Sequence, residues 1–166
     1  MMTEKRFTLI EIAVRVRSDL NEHFCDKFKF SVNASQDESA TGLISITVTQ
    51  WPEAVNMLSR EFIQNDYLAV LQGTRLEMSP AFMLSKEAES VHWDVRSILD
   101  GYVGVYTDPR TGLEERSFIG DIAFSASELA KERRRHLDEC KRSLRLNSAP
   151  SDSATETQQP PKKEGK

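Results

Sequence analysis

The sequence predicts an α+β domain with about four helices and an antiparallel sheet made from two β-hairpins, in the order α-ββ-α-α-ββ-α. Three observations predict it. Apolar and polar residues alternate in two separate regions, each interrupted by a polar or Pro/Gly-containing turn. Two Ser/Thr-x-x-Glu capping boxes stand ahead of apolar stripes at helical spacing. The chain has 166 residues with 39% hydrophobic side chains, enough for one core and too few for two comfortable ones.

Thr8 and Glu11 form the first box, with Phe7 and Ile12 placed as its hydrophobic staple. Leu9, Ile12, Ala13, Val16, Leu20 and Phe24 follow at helical spacing. Ile10, Ile12, Val14 and Val16 also alternate, which would suit a strand, but SDLNEHFCDKF continues in helical chemistry and favours the helix. Phe28, Phe30 and Val32 then alternate with polar residues, SQDESATG intervenes, and Ile44, Ile46 and Val48 alternate again as the second strand of a hairpin.

Pro52 suits the first turn of a helix continuing in some form to Gly73, with an unclear boundary near Asn65 and Asp66. RLEMSPAFML supports either a short strand and turn or an early helix start. A helix is expected from about Ser85 to Leu99, with Ala88, Val91, Val95 and Leu99 on one stripe and Gly101 as its stop. YVGVYTDPRTGLEERSFIG reads as the second hairpin, turning at DPRTG. Ser125 and Glu128 then box the last helix, which is expected to reach Leu146. These elements make residues 1–146 one domain. NSAPSDSATETQQPPKKEGK, residues 147–166, has almost no apolar side chains to offset the entropy of ordering and is expected to be a disordered tail.

Charge is unevenly placed. Residues 1–124 hold 12 Lys+Arg against 19 Asp+Glu, whereas residues 125–146 hold 7 against 4. An acidic body carrying one basic helix repels phosphate at long range, which disfavours wholesale nucleic-acid coating. The early apolar stretch is interrupted by Glu11, Arg15 and Arg17, unlike a secretory leader, and no run approaches the roughly 20 apolar residues of a membrane span. With two cysteines far apart, a reducing cytoplasmic setting without membrane partners is expected.

The last helix contains KERRRHLDECKRSLR. Ala126, Ala130, Arg133, Leu137, Cys140 and Leu144 fall on a heptad seam, so self-association is one reading. Arg133 sits where an apolar knob belongs, and the pattern lasts under three heptads. Lys131, Arg134, Arg135, Lys141, Arg142 and Arg145 gather on one half, while Glu128, Glu132 and Glu139 hold the opposite flank. Pairs four apart, such as Arg134 with Asp138 and Arg135 with Glu139, let the helix neutralise itself in part, and a solvated face explains most of the run.

Elsewhere, Val91 and Val95 define an inward stripe that leaves Trp93 nearly opposite, to be covered by another layer or by a partner. His92 beside Asp94 suggests catalysis, but adjacent helical positions diverge too far for one to orient the other. His136 and Cys140 are one turn apart and His23 and Cys25 two residues apart, neither a recognised zinc spacing. No nucleophile elbow, P-loop, dinucleotide fingerprint or HExxH occurs.

The function expected from these residues is that of a small non-catalytic binding or regulatory protein, using protein contacts at Trp93, Arg134, Arg135, Lys141, Arg142 and Arg145, without cofactor, metal or catalytic residue. The alternatives are a nucleic-acid accessory protein gripping phosphate with the same basic residues and an enzyme using His92.

Overall fold

A computed structural model describes residues 7–36, 42–74, 83–103 and 118–147. The Thr8 box forms as expected: Glu11 N donates to Thr8 Oγ1 at 3.3 Å, and Thr8 N donates to the Glu11 carboxylate at 2.8 Å. Helix α1 follows over Leu9–His23 and buries Leu9, Ile12, Ala13, Val16 and Leu20. It ends in a tight turn in which Cys25 and Asp26 take positive φ values of 49° and 57°. Phe24 then meets Phe28 and Phe30 with ring centroids 5.0 and 5.1 Å away, closing the corner into the sheet.

Strand β1 (Lys29–Gln36) pairs antiparallel with β2 (Gly42–Gln50), Val32 opposite Ile46 and Ala34 opposite Ile44. This is the first expected hairpin. The second differs. Strand β3 (Ile119–Phe124) lies on the other side of β2 and runs parallel to it, with Ile122 opposite Ile46. The described sheet is therefore mixed, in the order β1-β2-β3, and the described elements run α-ββ-α-α-β-α. A parallel neighbour requires a long crossover, and the helices between β2 and β3 provide it. The DPRTG turn and most of the strand expected before it lie at 104–117, outside the described residues, as does the expected tail from 148 onward.

The connection after β2 also corrects the expected helix start at Pro52. Val55 N donates to Pro52 O at 2.9 Å in a turn, and the chain then runs through fully buried Met57 and Leu58. Leu58 bridges Leu84, with Ser59 N donating to Met83 O and Ser85 N donating to Met57 O, both at 2.8 Å. Burying these two apolar residues in extended backbone outweighs the helix-start preference of Pro52. Ser59 and Ser85 flank the bridge and cap α2 (Arg60–Leu71) and α3 (Lys86–Asp100), accepting from Phe62 N and Ala88 N, each at 3.1 Å. Within the ambiguous segment Met83 is helical and Leu84 forms the bridge, and 75–82 lie outside the described residues.

Helices α1 and α3 pack on one face of the sheet, where Ile44, Ile46 and Val48 are buried with Val16, Val95 and Leu99. The opposite face carries Ser31, Asn33, Ser45, Thr47 and Asp121, the polar half of the alternation. Two contacts lock the helical layer. Tyr102 donates its hydroxyl to Asp19 of α1, and Arg96 of α3 donates to Gly120 O at 3.3 Å. A Cβ at Gly120 would lie 2.4 Å from Leu99 Cδ2, the tip of a buried side chain that would have to shift.

Gly120→Ala should therefore destabilise the fold by about 1–3 kcal/mol through overpacking, read as a lower urea midpoint with an unchanged slope. Burial, followed by the hydrogen bond to Asp19, raises the Tyr102 pKa from 10.0 to about 12. A raised folded-state pKa contributes stability that is complete below pH 10 and is lost between pH 10 and 12. Denaturation across that window should show a smaller alkaline loss for Tyr102→Phe than for the parent.

Candidate functional site

Helix α4 spans Ala126–Asn147, about 33 Å at the usual helical rise. Its start is tied to the sheet because Ser125 N donates to Val48 O at 2.9 Å. The inward side contains Leu129, 5% exposed, and Glu132, 4% exposed. Glu132 was expected on an acidic solvent flank, and the structure overturns that reading. Its carboxylate accepts from Trp51 Nε1 and from Leu58 N, both at 2.9 Å. One buried side chain thus holds the end of β2 and the bridge segment against α4, and its charge is matched by two donors.

Arg133 is the arginine found on the heptad seam. Its Nε donates to Asp66 Oδ2 at 2.6 Å and its Nη2 donates to Oδ1, making a two-pronged pair with an aspartate that is 1% exposed. The Asp66 hydrogen bond raises the Arg133 pKa against the lowering effect of burial. Asp66 was not singled out from sequence, although the signal existed. Phe62, Asp66 and Ala69 share the buried stripe of α2, so a carboxylate in one apolar stripe matched a guanidinium in another.

His136 lies between two carboxylates. Its Nδ1 is 3.3 Å from Glu139, and its Nε2, buried and without a hydrogen-bond partner, is 3.6 Å from Glu132. His23 faces Asp94 at 3.7 Å, and exposed Cys25 donates to Glu22 O at 3.7 Å. Among the described residues no three His, Cys, Asp or Glu side chains gather as metal ligands, and no helix is long and apolar enough to cross a membrane.

The arginine run therefore divides. Arg133 turns inward, Arg134 is exposed and donates to Ala130 O of its own helix at 3.3 Å, and Arg135 is half-buried, reaching Asn56 Oδ1 at 3.4 Å. Arg135 turns toward the bridge segment while Glu139 faces His136, so the expected pairing of those two is replaced. Lys141, Arg142 and Arg145 are exposed, with Asp138 4.0 Å from Lys141. Trp93, on α3, is 68% exposed and makes an edge contact with His92 at a centroid distance of 6.1 Å. No described element covers its indole.

Removing one partner of the inward pair should be costly. Asp66→Ala is expected to lose about 3–5 kcal/mol in chemical denaturation because Arg133 is left charged and half-buried. Asp66→Leu combined with Arg133→Met should return to within about 1 kcal/mol of the parent.

No family model matches the chain, and neither the curated proteins nor the solved structures contain a match.

Proposed function

We propose that this chain is a small non-catalytic binding or regulatory protein that meets an acidic surface of a protein partner through the basic half of α4. The supporting observation is that Arg134, Lys141, Arg142 and Arg145 of the expected basic half are all exposed. These exposed cations stand on an otherwise acidic chain. Opposite charge on a partner raises the encounter rate and suppresses wrong partners.

Trp93 adds a second contact of different character, a large apolar surface with an N–H donor at its edge. Arg135 contributes less than its neighbours because Asn56 already holds it. Phosphate is the weaker match, because the acidic body opposes it and the exposed stretch offers no aromatic side chain for base stacking.

The test places a photo-crosslinking amino acid at Ser143 in the full chain and identifies the products made in cells by mass spectrometry. Crosslinked peptides rich in Asp and Glu are expected, with yield falling at least about tenfold in the Lys141→Glu, Arg142→Glu variant. Products consisting of nucleic acid, or a yield unchanged by charge reversal, would refute the reading. A fluorescent DNA duplex titrated over a salt series provides the companion measurement, since phosphate binding weakens log-linearly with salt.

A further inference from the structure

On the outer flank of α1, Ile10 and Val14 are 71% and 64% exposed, one turn apart, and Arg17 continues the same stripe. These residues overhang β1, the last strand on that side of the described sheet. Between helix and strand lies a groove of about 240 Å³, lined by Ile10, Ala13, Val14 and Arg17 from α1 and by Val32 and Ala34 from β1.

The strand's backbone faces this groove. Ser125, at the end of β3, donates to Val48 O, so that carbonyl points toward β3. Backbone direction alternates along a strand, which turns the polar groups of Ile44 and Ile46 the same way and those of their partners Ala34 and Val32 away from β2. The contact from Arg17 Nη2 to Val32 O at 2.8 Å agrees with that direction. Among the described residues nothing pairs with the Val32 N–H or with either polar group of Ala34, which leaves an unfinished ladder along an apolar wall. Such an edge accepts an added strand, with backbone bonds supplying affinity and side-chain pockets supplying selectivity.

Charge identifies the occupant. Arg17 is the charged residue in the lining, and a guanidinium has five N–H donors, more than Val32 O can use. We propose that the groove takes an extended peptide segment as a further strand on β1, its apolar side chains against Ile10 and Val14 and its carboxylate on Arg17. A second copy of this chain fits poorly. Its own β1, KFSVNASQ, contains Lys29 and no acidic residue, so edge-to-edge pairing would offer Arg17 no carboxylate from that strand.

Two libraries of random octapeptides, one with free and one with amidated carboxyl termini, can be panned against the full chain and the selected peptides measured by fluorescence anisotropy. Alternating apolar side chains with an acidic group are expected. Selection confined to the free-ended library identifies a terminal carboxylate, and selection from both identifies a side chain. Arg17→Glu should weaken binding at least about tenfold. Ala34→Pro should do the same, since it deletes an outward N–H while sparing the pairing with β2. Ile10→Glu with Val14→Glu, at exposed positions, provides a third variant that should lose binding with thermal unfolding unchanged. Absence of any enriched peptide, or binding indifferent to all three changes, overturns the proposal. Dimerisation in sedimentation velocity that Ala34→Pro abolishes would also overturn it, by assigning the edge to a second copy.

Discussion

Two adjacent charges on α4 are withdrawn from water, and the rest of that side of the molecule is arranged to receive them. Removing a carboxylate and a guanidinium from solvent carries an effective penalty of several kcal/mol for each unless their donors and acceptors are met. Glu132 meets Trp51 and Leu58, while Arg133 meets Asp66 in two-pronged geometry. The contacts fix the rotation of α4 about its axis. A helix in a purely apolar groove could slide or roll at modest cost, but here a small roll would strand both charges.

That rotation determines which basic residues remain outside. With Glu132 and Arg133 inward, Arg134 is presented to solvent and Arg135 is brought to Asn56, while Lys141, Arg142 and Arg145 are exposed farther along the helix. The exposed positive surface is therefore a consequence of buried polar chemistry as much as of composition. The sheet supports this from the other end, since Ser125 anchors the helix start to Val48 and Trp51 follows directly after β2. One helix thus reads the positions of the central strand, the bridge segment and α2.

Elements governed by local chemistry were legible in the sequence. The Thr8 box set the start of α1, alternation marked β1 and β2, and the Ala88, Val91, Val95, Leu99 stripe marked α3. Elements governed by distant partners were not. Nothing in IGDIAF states whether its neighbour runs with or against it, since pairing direction depends on the route of the crossover. PEAVNMLS favours a helix locally, but after one turn at Pro52–Val55 its Met57 and Leu58 are drawn into the bridge to Leu84. In the candidate site, the odd position of Arg133 was visible, but Asp66 lay on a different helix and its meaning emerged when both stripes faced each other. Glu132 was placed with its acidic neighbours because a helical wheel does not show where the packed side ends.

The parallel placement of β3 also governs the order of assembly. On emergence from a ribosome, α1, β1 and β2 have their mutual contacts within the first 50 residues, whereas the second neighbour of β2 begins at Ile119. At usual elongation rates the intervening stretch takes roughly 3–14 s to synthesise, far longer than the microseconds in which a hairpin closes. For that interval one side of the nascent central strand must be shielded by chaperone, ribosome surface or its own following segments, and the strand with the most apolar face is the one left waiting.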